Sequence, residues 1–189
     1  MLDVALQFLR DEINGYIQAG SGSTSDVIKL SGVADEAGKY AFGKELIGLS
    51  IINMEEERIF KSHLNQYQTV NNQHLVRPPE LKLNLYLLFA ANFKLYDVAL
   101  RYLSQVLTFF QSHPVFTPAE YPALDLRIER LVMELQSPTF EQLNQIWAFI
   151  GAKQLPSVLY KLRMVALQEQ TETGVQPPLS AVATSFRSP

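Results

Sequence analysis

"PPELKLNLYLLFAANF", residues 78–93, carries the longest apolar run in the chain, opens on two prolines and keeps Asn84 and Tyr86 in its middle. Pro78 and Pro79 bar a helix from starting upstream of Glu80, and the residue ahead of a proline prefers extended backbone, so the run enters as a strand. Leu81, Leu83, Leu85, Leu87 and Phe89 then share one face, while Lys82, Asn84, Tyr86, Leu88 and Ala90 share the other. That second face turns from polar to apolar partway along. The pattern predicts a central strand, covered on one side throughout and on both sides only at its far end.

On the amino-terminal side, Leu2, Leu6, Leu9, Ile13 and Tyr16 recur at helical spacing, opposite Asp3, Gln7, Arg10, Asp11 and Asn14, which predicts a helix over about 2–18. "AGSGSTSD" then makes a turn, and "VIKLSGV" fits a short strand over 27–33. The glycine-containing stretch 34–45 reads as a hairpin or an irregular connection. It delivers the chain to "ELIGLSIINMEEER", where Ile47, Leu49 and Ile51 line one face of a strand that ends at Glu55, Glu56 and Glu57. Residues 60–80 lack a sustained period and read as a long exposed loop.

On the carboxyl-terminal side the period becomes helical, with Tyr96, Leu100, Leu103, Leu107 and Phe110 on the stripe, Ala99 and Val106 beside it, and Pro114 as the stop. "PALDLRIERLVMELQS" reads as a strand, although its leucines and glutamates also allow helix. "SPTFEQLNQIWAFIG" predicts a short helix: Thr139 is the N-cap, Gln142 completes a capping box, Phe140, Leu143, Ile146, Trp147 and Ile150 form the stripe, and Gly151 ends it. "PSVLYKLRMVALQEQ" closes the fold as a strand. Residues 169–189, rich in Pro, Thr and Ser, form a tail after a single domain over 1–168. The order predicts an α+β fold, an antiparallel or mixed sheet with helices packed on one face.

The chemistry that the chain could carry is narrowed by what it lacks. With 189 residues and a formal net charge of -3, there is no field to collect phosphate backbones, so nucleic acid is not an expected partner. There is no cysteine, which removes disulfides, thiolate metal sites and thiol nucleophiles. "MLDVALQFLRDEI" has an acid at Asp3 and no basic flank, so it does not read as a secretory signal, and synthesis in the cytoplasm is expected. The apolar run Leu85 to Ala91 is far below the ~20 residues of a spanning helix, and no membrane insertion is expected.

"GKYAFGKE", residues 38–45, has phosphate-loop spacing as far as Lys44, but Glu45 replaces the magnesium-binding hydroxyl and a strand, not a helix, follows. Of the three adjacent glutamates only Glu55 and Glu57 point the same way in an extended segment. His63, His74 and His113 stand alone, without spacing that pairs them as metal ligands. No catalytic constellation emerges and no cofactor is expected. What remains are interaction features on strand faces: Tyr86, Tyr160, Lys161 and Arg163, with the acidic strand end.

Three segments carry a family resemblance: "INMEEER" after a strand, "RPPELKLNLYLLFAANF" leading to "YDVALRYLSQVLTFFQ", and "LNQIWAFIGAKQLPSVLYKLRMVAL". Together, in register from about Leu2 to Gln168, they resemble the N-terminal domain of the cap or tube-terminator proteins of contractile injection systems, which are phage-tail-like particles. The resemblance implies a fold similar to phage tail terminators and a non-enzymatic subunit. It implies a ring, a hexamer, that ends the inner tube and joins it to the sheath. It implies, too, a particle that is assembled in the bacterial cytoplasm and is then either released or membrane-anchored.

The matching positions are Asn53, Glu55, Glu56, Glu57, Pro78, Pro79, Asn84, Tyr86, Phe110, Gln111, Trp147, Gly151, Pro156, Ser157, Tyr160, Lys161 and Arg163. Phe110 and Trp147 read as core. The interface candidates are Asn53, Glu55, Glu57, Arg58, Arg77, Asn84, Tyr86, Gln111, Tyr160, Lys161 and Arg163. The stretch from Ser31 to Lys44 offers little pattern to align. An assembly chaperone for tube subunits, or a nucleotide-binding enzyme using Lys44 and the glutamates, are the alternatives.

Overall fold

The computed structural model describes residues 1–22, 24–57, 66–70, 73–77, 81–166 and 175–176, of which 21, 66–70, 73–77, 81, 165–166 and 175–176 are described by backbone alone. In chain order the elements are α1 (Leu2–Ser21), β1 (Ile28–Leu30), β2 (Leu46–Glu56), β3 (Gln66–Val70), β4 (Gln73–Arg77), β5 (Leu81–Asn92), α2 (Tyr96–Ser112), β6 (Val115–Phe116), β7 (Ile128–Gln136), α3 (Phe140–Ile150), β8 (Ser157–Ala166) and β9 (Val175–Gln176). Six strands form one sheet in the order β1-β2-β5-β8-β7-β6, and three form a second in the order β3-β4-β9. β1 and β2 are parallel, and every other pair in the large sheet is antiparallel. The expected α+β fold with a mixed sheet is the one observed.

β5 occupies the centre of the large sheet, as its sequence predicts. Leu85, Leu87, Phe89 and Ala91 are fully buried beneath α1 and α2, in a cluster with Leu9, Ile13, Leu103, Val106 and Phe110. The rings of Phe89, Phe110 and Tyr160 pack edge-on or tilted, with centroids 4.8–5.9 Å apart. On the reverse face only the far end of β5 is covered: Leu88 and Ala90 form a second cluster with Leu159, Trp147, Val33 and Phe42. The cover there is α3. The helices therefore do not all share one face. α1 and α2 lie on one side and α3 on the other, because the even positions of β5 turn apolar only after Tyr86 and that short patch needs its own lid.

Several local expectations are met in detail. α1 runs to Ser21, three residues past the expected end at 18, and stops within the expected turn at Gly22, whose φ of 68° is the left-handed conformation a glycine adopts without steric cost. At α3 the capping box is complete, with Thr139 Oγ1 accepting from the Gln142 N–H at 3.2 Å and the Gln142 side chain accepting from the Thr139 N–H at 2.9 Å. Thr139→Ala is expected to cost about 1 kcal/mol, read as a lower denaturant midpoint at unchanged m-value. The segment 128–136, read as a strand although its composition also allows helix, is strand β7.

Other expectations are corrected. Within the stretch 60–80, read as a loop, β3 and β4 pair as an antiparallel hairpin, Val70 opposite Gln73. β9 lies beyond residue 168, in the segment read as tail, and pairs with β4. On α2 the buried stripe is Ala99, Leu103, Val106, Phe109 and Phe110, which leaves Tyr96 and Leu100 exposed. Phe140, placed on the inner stripe of α3, is 93% exposed. Asn14, placed on the polar side of α1, is buried.

Asn14 does for β1 what another strand would do. Its Nδ2 donates to the Ile28 carbonyl at 3.0 Å, and its Oδ1 accepts from the N–H groups of Val27 at 3.0 Å and Ile28 at 2.8 Å. Both backbone groups of Ile28 thereby find partners at the sheet edge. A side-chain amide has the donor and acceptor of a peptide group, so it can close an edge that would otherwise stand open.

Candidate interaction surface

The sheet face that carries α3 is left partly uncovered, and a β-bulge shapes the uncovered part. From Gly48 to Ser50 the even residues of β2 face the α3 side, in register with Ala90 and Leu88. Between Ile51 and Asn53 the register shifts by one residue, so that Asn53 pairs with Tyr86 and Glu55 with Asn84. Ile51 packs into the core under the helices and Ile52 into the cluster under α3. Without the extra residue, Asn53 and Glu55 would point into the core. The bulge turns them outward instead.

Three rows of side chains cross this face. Nearest α3 lie Ser50, Leu88, Leu159 and Gln136; next come Asn53, Tyr86, Lys161 and Glu134; outermost come Glu55, Asn84, Arg163 and Val132. The row nearest α3 is half apolar, whereas in the two beyond it only Val132 is apolar. With neighbouring strands about 4.8 Å apart, each row is roughly 15 Å wide, a usable contact patch.

The polar rows are internally tied. Asn53 Nδ2 donates to Glu55 Oε1 at 3.1 Å, and the Tyr86 hydroxyl donates to Glu55 Oε2 at 3.2 Å. Asn84 Nδ2 donates to Glu57 Oε2 at 3.0 Å. Arg163 Nη2 bridges to Glu134 Oε1 at 2.6 Å, with both side chains part-exposed. Partial burial, and then the Glu55 carboxylate, hold the Tyr86 phenol above its ordinary pKa. Across the face the sequence acid, neutral, base, acid runs from β2 to β7. A pattern of both signs in fixed order suits recognition of a protein surface, where it sets orientation and rejects wrong partners.

Beside the rows, between the β2 bulge and α3, lies a groove of about 810 Å³. Ile52, Tyr86 and Leu159 line it from the sheet, and Gln142, Ile146 and Phe149 from the helix. Phe149 is 93% exposed.

Of the interface candidates, Asn53, Glu55, Glu57, Asn84, Tyr86, Lys161 and Arg163 come together on this one patch. Tyr160 does not: it is 3% exposed in the core on the opposite face, where burial alone pushes its phenol up to about 12. Gln111 is exposed on α2, on the other side of the sheet. Arg77 pairs through its backbone with Gln66 in the small sheet, and Arg58, Pro78 and Pro79 lie outside the described residues. Pro156, Ser157 and Gly151 are framework: the Pro156 carbonyl accepts from Ala91, Ser157 is in register with Ala90, and Gly151 ends α3 at φ 72°.

Phe110 and Trp147 are core, as read. Lys44 is followed by strand β2, and the Glu45 carboxylate accepts from the Lys94 N–H at 3.0 Å, which ties down the loop that resembles a phosphate cradle. His113 stacks on Phe109 at 5.1 Å, while His63 and the side chain of His74 are outside the described residues. The bulge and the groove were not anticipated.

A family profile described as the Pvc16 N-terminal domain matches residues 5–181. The chain belongs to that family. No curated protein matches the sequence significantly. Among solved structures, the sheath/tube terminator of the extracellular contractile injection system PVC, in its extended state, shares the fold with a TM-score of 0.58 at 12% identity, over 94% of this chain and 62% of that one. The tube-terminating cap of the anti-feeding prophage does so with a TM-score of 0.58 at 11% identity, over 94% of this chain and 60% of that one. This chain spans about three fifths of the length of those two chains. The family match runs past Gln168, so kinship in sequence extends into the segment read as tail.

Proposed function

We propose that this Pvc16-family chain is a structural terminator of a contractile injection system, a subunit that assembles into a six-fold ring, ends the inner tube and joins it to the sheath. The carrying observation is family membership over residues 5–181 together with the fold of two solved terminators. The polar rows support the reading because their chemistry is that of a docking face: charges of both signs, held by neighbours, beside an apolar groove. Contact between two unlike surfaces of identical subunits closes into a ring when its rotation fits, and the outer surface of that ring then ends a polymer. The subunit does its work by binding rather than by catalysis. It is assembled in the bacterial cytoplasm into a particle that is later released or anchored.

Particles produced without this chain test the role. Tubes of uncontrolled length, seen by electron microscopy and restored to fixed length by the added protein, are the expected result; tubes of normal length and closure in its absence would remove the proposal's basis. On the surface itself, Arg163→Gln combined with Lys161→Gln is expected to change folding stability by no more than about 1 kcal/mol, since part-exposed ion pairs contribute little and no like charge is brought against Glu134. The same pair of changes should weaken co-sedimentation with tubes or sheath at least tenfold, which checks the patch independently of the fold.

A further inference from the structure

Two asparagines stand at open strand edges of the large sheet, and they close them differently. β1 stops at Leu30, level with Leu49, and Ser31 makes its last bond to β2, from its N–H to the Leu49 carbonyl. Beyond Ser50, β2 has no strand beside it on that edge among the described residues. Glu57 donates its N–H to the Lys82 carbonyl on β5, and bonding alternates along an antiparallel ladder, so Met54 turns its own N–H and carbonyl away from β5, to the open edge. That N–H is met by a side chain: it donates to Asn53 Oδ1 at 2.9 Å. Asn14 closes the edge of β1 with three buried bonds, whereas the bond of Asn53 is single and exposed. A side-chain amide has the acceptor of a peptide group, so Asn53 occupies the place that the carbonyl of a further strand would take.

We propose that the β2 edge at Met54 is a docking site for an extended segment of a partner protein, one that carries a lysine or arginine among apolar residues, and that the Asn53 amide gives way to it. This deepens the terminator reading and rests on it. An edge that offers backbone N–H and carbonyl groups is matched by another strand, which supplies the same groups at the same spacing. The side chains beside the edge select the sequence of that strand. Met54, 47% exposed, stands on the side of α1 and α2, and Ile52 on the side of the groove, so apolar residues of an incoming strand find contact on both faces. Glu55 is exposed and its two partners, Asn53 and Tyr86, are neutral, so a cation beside it on the new strand meets a carboxylate that no described residue pairs as an ion. The described strands of this chain that carry a base do not serve as that segment in a second copy. β4, β5 and β8 are flanked by strands on both sides. β1 has one edge on β2 and the other closed at Ile28 by Asn14, and in β7 the acid Glu129 precedes Arg130.

Hydrogen exchange of the chain, free and bound to particles produced without it, reads the edge directly when resolved residue by residue. On binding, the Met54 N–H is expected to exchange about a hundredfold more slowly, because a strand replaces an exposed side-chain bond. If the chain binds and Met54 exchange is unchanged, the edge assignment is overturned while the terminator reading stands. If the chain does not bind such particles, both are overturned. The same slowing in the chain alone, where it forms rings without particles, would make a second copy the occupant and likewise overturn the assignment. Two variants check the cause. Met54→Pro removes a hydrogen that faces the open edge, where proline is tolerated, so it should leave the circular dichroism unchanged and weaken binding to the particles about tenfold. Unaltered binding would count against the edge. Asn53→Ala takes away the competing amide and should tighten binding about threefold. Unchanged or weaker binding by that variant would contradict the displacement of Asn53, and this sign decides even where the proline variant does not fold.

Discussion

Asn14→Leu is expected to cost about 3 kcal/mol of folding stability, although the new side chain is of similar size and the site is a nearly closed part of the core. The wild-type amide makes three hydrogen bonds to the backbone of Val27 and Ile28. Each is worth about 1 kcal/mol net, and the apolar replacement leaves two N–H groups and a carbonyl facing hydrocarbon. For a chain of this size the corresponding fall in Tm is roughly 8 °C, which calorimetry or circular dichroism would read. A loss under about 1 kcal/mol would mean that water or another group satisfies the edge of β1, and would sink this account of Asn14. Amide exchange distinguishes the cause: the N–H of Ile28 should lose protection well before those of β5.

The second large effect is expected at Gly48. A Cβ built there would lie 2.4, 2.5 and 2.8 Å from three carbons of the Phe42 ring, and Phe42 itself is buried. The ring has no room to retreat, because Val33, Leu88 and Trp147 belong to the same packed cluster. Gly48→Val should therefore cost about 3 kcal/mol, the upper part of the usual range for overpacking a core. The control is the background in which the obstacle is gone. With Phe42→Ala already in place, adding Gly48→Val should cost less than half of its effect in the wild type, a coupling that chemical denaturation of the four proteins in the cycle would measure. Additive costs would mean that the penalty comes from strand backbone and not from the ring.

Both residues show why parts of this molecule could not be read from its sequence. Asn14 falls on the polar side of α1 when helical spacing alone is counted, because spacing knows nothing of the strand edge that α1 lies against. Gly48 looks like one small residue in an alternating strand, and only the return of the 33–42 segment over β2 makes its missing side chain a requirement. Tyr160 is the corresponding case at the site. Its neighbours Leu159 and Lys161 face the α3 side, so alternation sends Tyr160 to the core, yet an aromatic hydroxyl between exposed polar residues reads equally well as a surface contact.

Seven of the interface candidates nonetheless come together on one patch, and the reason is again local. Asn84 and Tyr86 share the parity of Lys161 and Arg163 across the β5–β8 ladder, so a correct strand reading on both sides was sufficient to place them together. Asn53 and Glu55 joined them through the bulge, which the strand reading did not contain.

The division between what was legible and what was not follows from range. Periodicity, proline and glycine stops, the Thr139 capping box and the polar-to-apolar switch along β5 are interactions between residues a few positions apart, and the sequence by itself determined them, together with the α+β class and the family. Which face each element buries depends on contacts between segments far apart in the chain, and a shift of one residue exchanges the two faces of a strand. For that reason only the tertiary structure decided the bulge at Ile51 to Asn53, the placing of α3 opposite the other helices and the edge role of Asn14.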